Sequence, residues 1–352
     1  MLKRLSATDV LVVITGLVAG VLGALLVKAG NPPNMGICVA CFERDIAGAL
    51  GLHRAAVVQY LRPEIIGFLL GSTIAALILG EFKARSGSSP IVRFLIGIFV
   101  MIGALVFLGC PVRTVLRLAG GDLNAIPALL GIATGAFIGV WFLRRGFTLG
   151  RSYTAQPIVG WIMPGLMAGL LLLAVLKPAF VFASQKGPGA MHAAIAVSLG
   201  AGLIIGFLAQ RSRMCFVGGI RDLFLIRDPH LFRGLVAAFV GALVTNLILG
   251  QFKLGFEGQP VAHTNHLWNY LGMVLVGLGP TLLGGCPLRQ LVLSGEGNAD
   301  AGMVVLGMIV GAAFAHNFGL ASSPKGVTPG GMAATLIGLA VMLAIGCFMR
   351  EE

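Results

Sequence analysis

Apolar stretches of about 20 residues recur along nearly the whole chain, each continuous rather than alternating with polar residues. Inside a bilayer only helices and closed barrels satisfy every backbone N–H and C=O group. Barrel strands would alternate apolar and polar residues, so continuous runs of helix length leave the helix. Composition agrees: 11% of the 352 residues are charged and 57% hydrophobic, whereas a soluble domain carries about a quarter charged residues. The sequence therefore specifies an all-α polytopic membrane protein whose main partner is the lipid bilayer.

Apolar length, Gly/Pro punctuation and charges mark about ten spanning helices. They lie near 9–29, 63–81, 91–109, 125–144, 157–177, 190–209, 232–252, 267–285, 299–319 and 329–349. The first run follows Lys3 and Arg4 and continues past Val27 without a cleavage site, so it reads as a span rather than a removed signal. Those two charges place the N-terminus in the cytoplasm. The excess of 25 Lys and Arg over 13 Asp and Glu then has an ordinary source in cytoplasmic loops. No basic patch interleaved with aromatics calls for nucleic acid. Small-residue rows such as Gly131, Gly135 and Gly139, or Gly307 and Gly311, read as helix-packing surfaces.

The two halves of the chain resemble each other. Cys38, Arg44 and Asp45 align with Cys215, Arg221 and Asp222. Leu79-Gly80-Glu81-Phe82 matches Leu249-Gly250-Gln251-Phe252. Gly109-Cys110-Pro111-Val112-Arg113 matches Gly285-Cys286-Pro287-Leu288-Arg289. We read a single transmembrane domain over 1–352: repeat one about 9–145, a connecting helix about 157–180, repeat two about 190–320 and a final helix about 329–349. With the connecting helix between them, equivalent helices cross in opposite directions. The repeat is then inverted, as in alternating-access transporters.

Four polar stretches, 31–55, 110–124, 211–228 and 286–300, interrupt the apolar pattern. Each joins two spans and is too apolar for a plain surface loop, so we read four short re-entrant segments. Irregular backbone at that depth is tolerated where it lines a cavity or is buried in protein. Five of six cysteines fall in these stretches: Cys38, Cys41, Cys110, Cys215 and Cys286. A single buried cysteine is ordinarily a small hydrophobe, but four at equivalent places in two halves point to use. Cys347, in the final helix, reads as packing.

Cys38 and Cys41 form a lone CxxC with Gly218 where Cys41's counterpart would stand. No His accompanies the motifs, so neither a metal site nor a cofactor is expected. Arg113 and Arg289 admit two readings, structural ties or a positive field for an anion. Arg44 with Asp45, and Arg221 with Asp222, read as charge pairs that pin their segments. Cysteine beside Arg or at a helix N-terminus gains donor and thiolate character, which suits a soft anion. No acidic residue lies deep in a spanning run as an obvious proton carrier; Asp122 and Asp300 sit at the ends of the interrupting segments.

The stretch Asn34 to Asp45, both Gly-Cys-Pro-x-Arg motifs and Arg213-Met214-Cys215-Phe216 resemble the YeeE/YedE family of bacterial membrane proteins across essentially the whole chain. The first of these stretches resembles the YedE branch, which is linked to selenium transport. The resemblance implies inner-membrane uptake of a small selenium- or sulfur-containing anion, selenite-like or thiosulfate-like. It implies no enzymatic step, and a cysteine relay along a central path at Cys38, Cys110 and Cys286, with Cys215 as the fourth repeat-related thiol. It also implies a TusA-type sulfur-carrier protein as a partner on the cytoplasmic side. Cys41 distinguishes this chain from the thiosulfate members and keeps a competing reading open, a membrane thiol oxidoreductase using Cys38 and Cys41.

Overall fold

The computed structural model describes residues 6–350; Lys3 and Arg4, which carry the orientation argument, lie outside them. Among the described residues fourteen α-helices follow one another. The longer ones are α1 (Ala7–Lys28), α3 (Pro63–Ile78), α4 (Pro90–Phe107), α6 (Ala125–Arg144), α7 (Pro157–Leu176), α8 (Ile195–Ser212), α10 (His230–Ile248), α11 (His266–Leu283), α13 (Ala299–Asn317) and α14 (Pro329–Phe348). Four are short: α2 (Val39–Ala49), α5 (Pro111–Ala119), α9 (Phe216–Leu225) and α12 (Pro287–Gly295). A pair of two-residue strands, β1 (Arg85–Ser86) and β2 (Tyr153–Thr154), departs from a purely helical fold.

All ten expected long helices are present, but among the described residues nine are long and apolar enough to cross a membrane. The tenth, α3, is apolar and 16 residues long, about 24 Å of helix. The sequence reading carried this span to Glu81, yet Gly80 adopts a left-handed conformation (φ +66°) and stops the helix early. Proline at the first helical turn sets the start of α3, α4, α5, α7, α12 and α14, where its missing N–H is no loss.

The long helices pack in crossed pairs: α1 on α10, α3 on α8, α4 on α13 and α6 on α11, with α4 and α11 also in contact at the centre. Helix α7 packs on α3, α12 and α13, and α14 on α4 and α11. Glycine permits the pairs to close. A Cβ at Gly135 would penetrate the Val274 carbonyl oxygen on α11, and one at Gly20 the Ala238 carbonyl oxygen on α10. In lipid such backbone-level packing supplies the association that the hydrophobic effect supplies in water. Gly135→Leu therefore lowers the thermal unfolding temperature in detergent, at a cost of about 1–3 kcal/mol or more for overpacking; an unchanged midpoint would contradict this packing.

Candidate functional site: cysteine-capped short helices

Each of the four interrupting stretches folds into one of the short helices, and each short helix has a cysteine as its N-cap: Cys38, Cys110, Cys215 and Cys286. Before three of them the chain turns through a left-handed residue two positions earlier, at Leu108, Arg213 and Gly284. The preceding long helix ends there, so the chain re-enters a helix at the cysteine. Pro111 and Pro287 then start α5 and α12. The thiols thus stand among free backbone N–H groups at the positive ends of four helices.

In α2 the Cys38 Sγ accepts from the Cys41 N–H at 3.3 Å, and in α9 the Cys215 Sγ accepts from the Gly218 N–H at 3.1 Å. The cysteines gather in two groups. Cys38, Cys41 and Cys110 form one, their side chains close enough to interact. Cys215 and Cys286 form the other, the Cys286 N–H donating to Cys215 Sγ at 3.2 Å. All five are buried and reduced. No hydrogen bond joins the two groups, although α2 packs on α12 and α5 on α9. Cys347 is exposed on α14, and so does not pack inside as the sequence suggested.

The two motif arginines differ in their surroundings. Arg113 is fully buried and has no carboxylate partner among the described residues. Its Nε donates to the Asn34 carbonyl at 2.7 Å, its Nη2 to the Val261 carbonyl at 3.0 Å, and its Nη1 to Cys41 Sγ at 3.2 Å and to the Leu108 carbonyl. Carbonyl dipoles hold this cation without cancelling its charge, and the nearest thiol shares its field. Arg289 instead pairs with Glu296 at 3.1 Å. Glu296 also takes Arg213 at 3.0 Å, and Glu81 takes Arg213 at 2.8 Å and Arg211 at 3.2 Å.

The expected charge pairs form within their own helices. Arg44 reaches Asp45 at 2.7 Å and Arg221 reaches Asp222 at 2.7 Å. Sequence reading did not find that Asp45 also binds the buried Arg62 at 2.8 Å, or that buried Arg117 pairs with Asp122 at 2.6 Å. The spacing of Arg117 and Asp122 across the end of α5 was the available signal. Asp300 is fixed by the Gly87 and Ser88 N–H groups and by the Ser152 hydroxyl at 2.6 Å.

Next to Arg113 lies a cavity of about 300 Å³ between α1, α5 and α10, lined by Asn34, Asn246, Gln251, Lys253 and Gln259 among others. Gln251 occupies the place that Glu81 holds in the matching Leu-Gly-x-Phe stretch. The ion-pair latch around Glu81 thus has no counterpart around Gln251, where amides and one lysine line the cavity.

Donation from the Gln210 amide, then the Arg213 and Arg211 guanidiniums, holds Glu81 below the usual carboxylate range. The stability this pairing contributes is present above the unfolded value near 4.5 and fades as pH falls through the lower folded value. In Glu81→Gln the loss of thermal stability on acidification below that value becomes shallower than in the wild type. Parallel curves would contradict the latch.

The fold and site define a multi-pass helical membrane protein with cysteine-capped short helices in its interior. A sulphur-transport family model matches residues 211–350. Over 109 residues the chain is 34% identical to the thiosulfate transporter TsuA of Spirochaeta thermophila, covering 30% of this chain and 32% of that protein. The thiosulfate transporter TsuA of Escherichia coli is 29% identical over 107 residues, 30% of each chain. The probable transporter YedE of Escherichia coli is 25% identical over 271 residues, 70% of this chain and 62% of YedE. The alignments thus span about a third of the TsuA proteins and less than two thirds of YedE. These matches bear out the resemblance to the YeeE/YedE family, as distant homology.

Proposed function

We propose that the protein carries a small sulfur- or selenium-containing anion, such as thiosulfate or selenite, across the bacterial inner membrane. One observation carries this reading: four short helices each begin at a buried cysteine, and these cysteines meet in two groups. The N-terminus is cytoplasmic, and a TusA-type carrier receives the chalcogen on that side. The relatives' transport of thiosulfate and their distance from this chain are consistent with a related anion.

The anion enters the amide-lined cavity and is drawn toward Arg113, whose charge no carboxylate cancels. It then passes from Cys38, Cys41 and Cys110 to Cys215 and Cys286 by S–H contacts with its oxygen and chalcogen atoms. A thiol is a weak donor, and a series of weak sites lets the ion leave as well as bind. Arg289, already paired with Glu296, attracts the anion only when that latch opens. The short helices are re-entrant segments of two inverted repeats. Exchanging α1–α6 for α8–α13 turns the α1/α10 contact into α8/α3 and the α6/α11 contact into α13/α4, both of which exist, and this supports the pseudo-symmetry.

The test is uptake of labelled thiosulfate and selenite into proteoliposomes. Uptake above empty vesicles for either anion supports the reading, and none for either overturns it. Thiol labelling separates the oxidoreductase: transport leaves Cys38 and Cys41 reduced through turnover, whereas a disulfide that forms and breaks in step with turnover would favour the enzyme.

A further inference from the structure

The sequence places no acidic residue deep in a spanning run, but α2 carries two into the interior, Glu43 and the paired Asp45. Glu43 is fully buried, and neither of its carboxyl oxygens has a hydrogen-bond partner among the described residues. Its neighbours are satisfied: Arg44 and Asp45 pair with each other, and Asp45 also holds Arg62. The aligned position in α9 is Ile220, so packing at this point of the short helix calls only for an apolar side chain.

The ionisable groups on the helices packed against α2 have contacts elsewhere, though Glu64 Oε2 and His316 Nε2 are themselves without a hydrogen-bond partner. Glu64 on α3 accepts from Asn31 and Ser198, Arg93 on α4 donates to Ser88, and Arg289 on α12 is held by Glu296. At the start of α13, Asp300 binds the 87–88 backbone, and near its end His316 stacks on His53. None of them hydrogen-bonds Glu43. An isolated carboxylate in such surroundings is costly enough that the group takes up a proton instead. Glu43 lies five residues beyond Cys38 on one rigid helix, about 7 Å along its axis. Any movement of α2 that passes an anion along the thiols also moves this carboxyl.

We propose that Glu43 is the proton-carrying site of the transporter. It holds a proton in the conformation described, and when α2 moves to expose it the O–H bond breaks, the proton passes to water on the far side, and the carboxylate is left. Reprotonation from the entry side resets it. One proton thus accompanies each anion, offsetting one unit of the negative charge moved. Buried ionisable residues in membrane proteins mark such relays. This inference rests on the transport reading.

Two measurements on the full-length protein test it. Infrared spectra of the purified wild type should contain the carbonyl stretch of a protonated carboxyl group that Glu43→Gln lacks, with both proteins melting as folded species. In proteoliposomes with thiosulfate, wild-type uptake should rise as the external pH falls, by up to about tenfold per pH unit, with proton entry detected by an internal dye. Glu43→Gln should take up anion at one rate across that range and move no protons. A variant that keeps the wild-type pH response and proton entry, or an infrared spectrum unchanged by the substitution, would overturn the assignment. Were the wild type itself inactive with either anion, the transport reading would fall, while the infrared band would still report whether Glu43 holds the proton.

Discussion

Alanine at both Cys110 and Cys286 reduces anion uptake to the level of empty vesicles while leaving the protein folded. The two thiols cap the helices that follow the Gly-Cys-Pro turns, one in each cysteine group. A hydrogen bond to a charged group contributes about 1.5–3 kcal/mol. Losing one where the anion crosses raises the barrier enough to slow passage roughly 10- to 100-fold, and the double variant removes one from each group. Neither thiol is the partner of a carboxylate or an arginine, so truncation leaves a small cavity and a modest loss of stability, about 1 kcal/mol. Serine at both positions keeps a donor but loses the soft, polarizable sulfur. Intermediate uptake by the serine variant would tie the rate to the hydrogen bond, and loss equal to alanine's would tie it to sulfur.

Arg113→Gln is expected to be more damaging than Arg289→Gln in both uptake and stability. Arg113 is fully buried and spends its donors on three backbone carbonyls and the Cys41 sulfur. Glutamine cannot reach all of them, and each buried acceptor left unpaired costs about 1–3 kcal/mol. The positive field beside the first cysteine group disappears at the same time. At Arg289 the same change frees Glu296, which Arg213 still holds at 3.0 Å, so the site relaxes at little cost. Arg113→Lys separates field from framework: lysine keeps the charge and loses the planar fork. Uptake that recovers in the lysine variant despite a lowered unfolding temperature would assign the function to charge. Equal effects of Arg113→Gln and Arg289→Gln would contradict the asymmetry between the two ends.

Much of this was legible beforehand because the bilayer leaves few options. Apolar length and proline punctuation located every long helix to within a few residues. The four polar, cysteine-bearing stretches stood out because each brings Cys, Arg and Asp together between two spans. Local pairing within a segment was readable too, as for Arg44 with Asp45 and Arg221 with Asp222. The early end of α3 was not, because it depends on the left-handed conformation of Gly80, which the composition of the run does not reveal. Partners distant in sequence were also hidden: Arg213 reaches both Glu81 and Glu296, and Arg62 reaches back to Asp45. The symmetric motifs suggested equal roles for Arg113 and Arg289, and only the fold separates them, through Glu296 standing where the first half has Gly120. Glu43 escaped notice because it sits beside Arg44 in a stretch that already looked polar. Its isolation becomes visible only when its neighbours turn out to be spoken for.

The most direct test is the initial rate of labelled thiosulfate and selenite uptake into proteoliposomes, wild type beside the Cys110→Ala/Cys286→Ala double variant. The account predicts uptake of at least one anion by the wild type and background counts for the double variant at equal amounts of folded protein. Equal rates for the two proteins would contradict a path through the cysteine-capped helices.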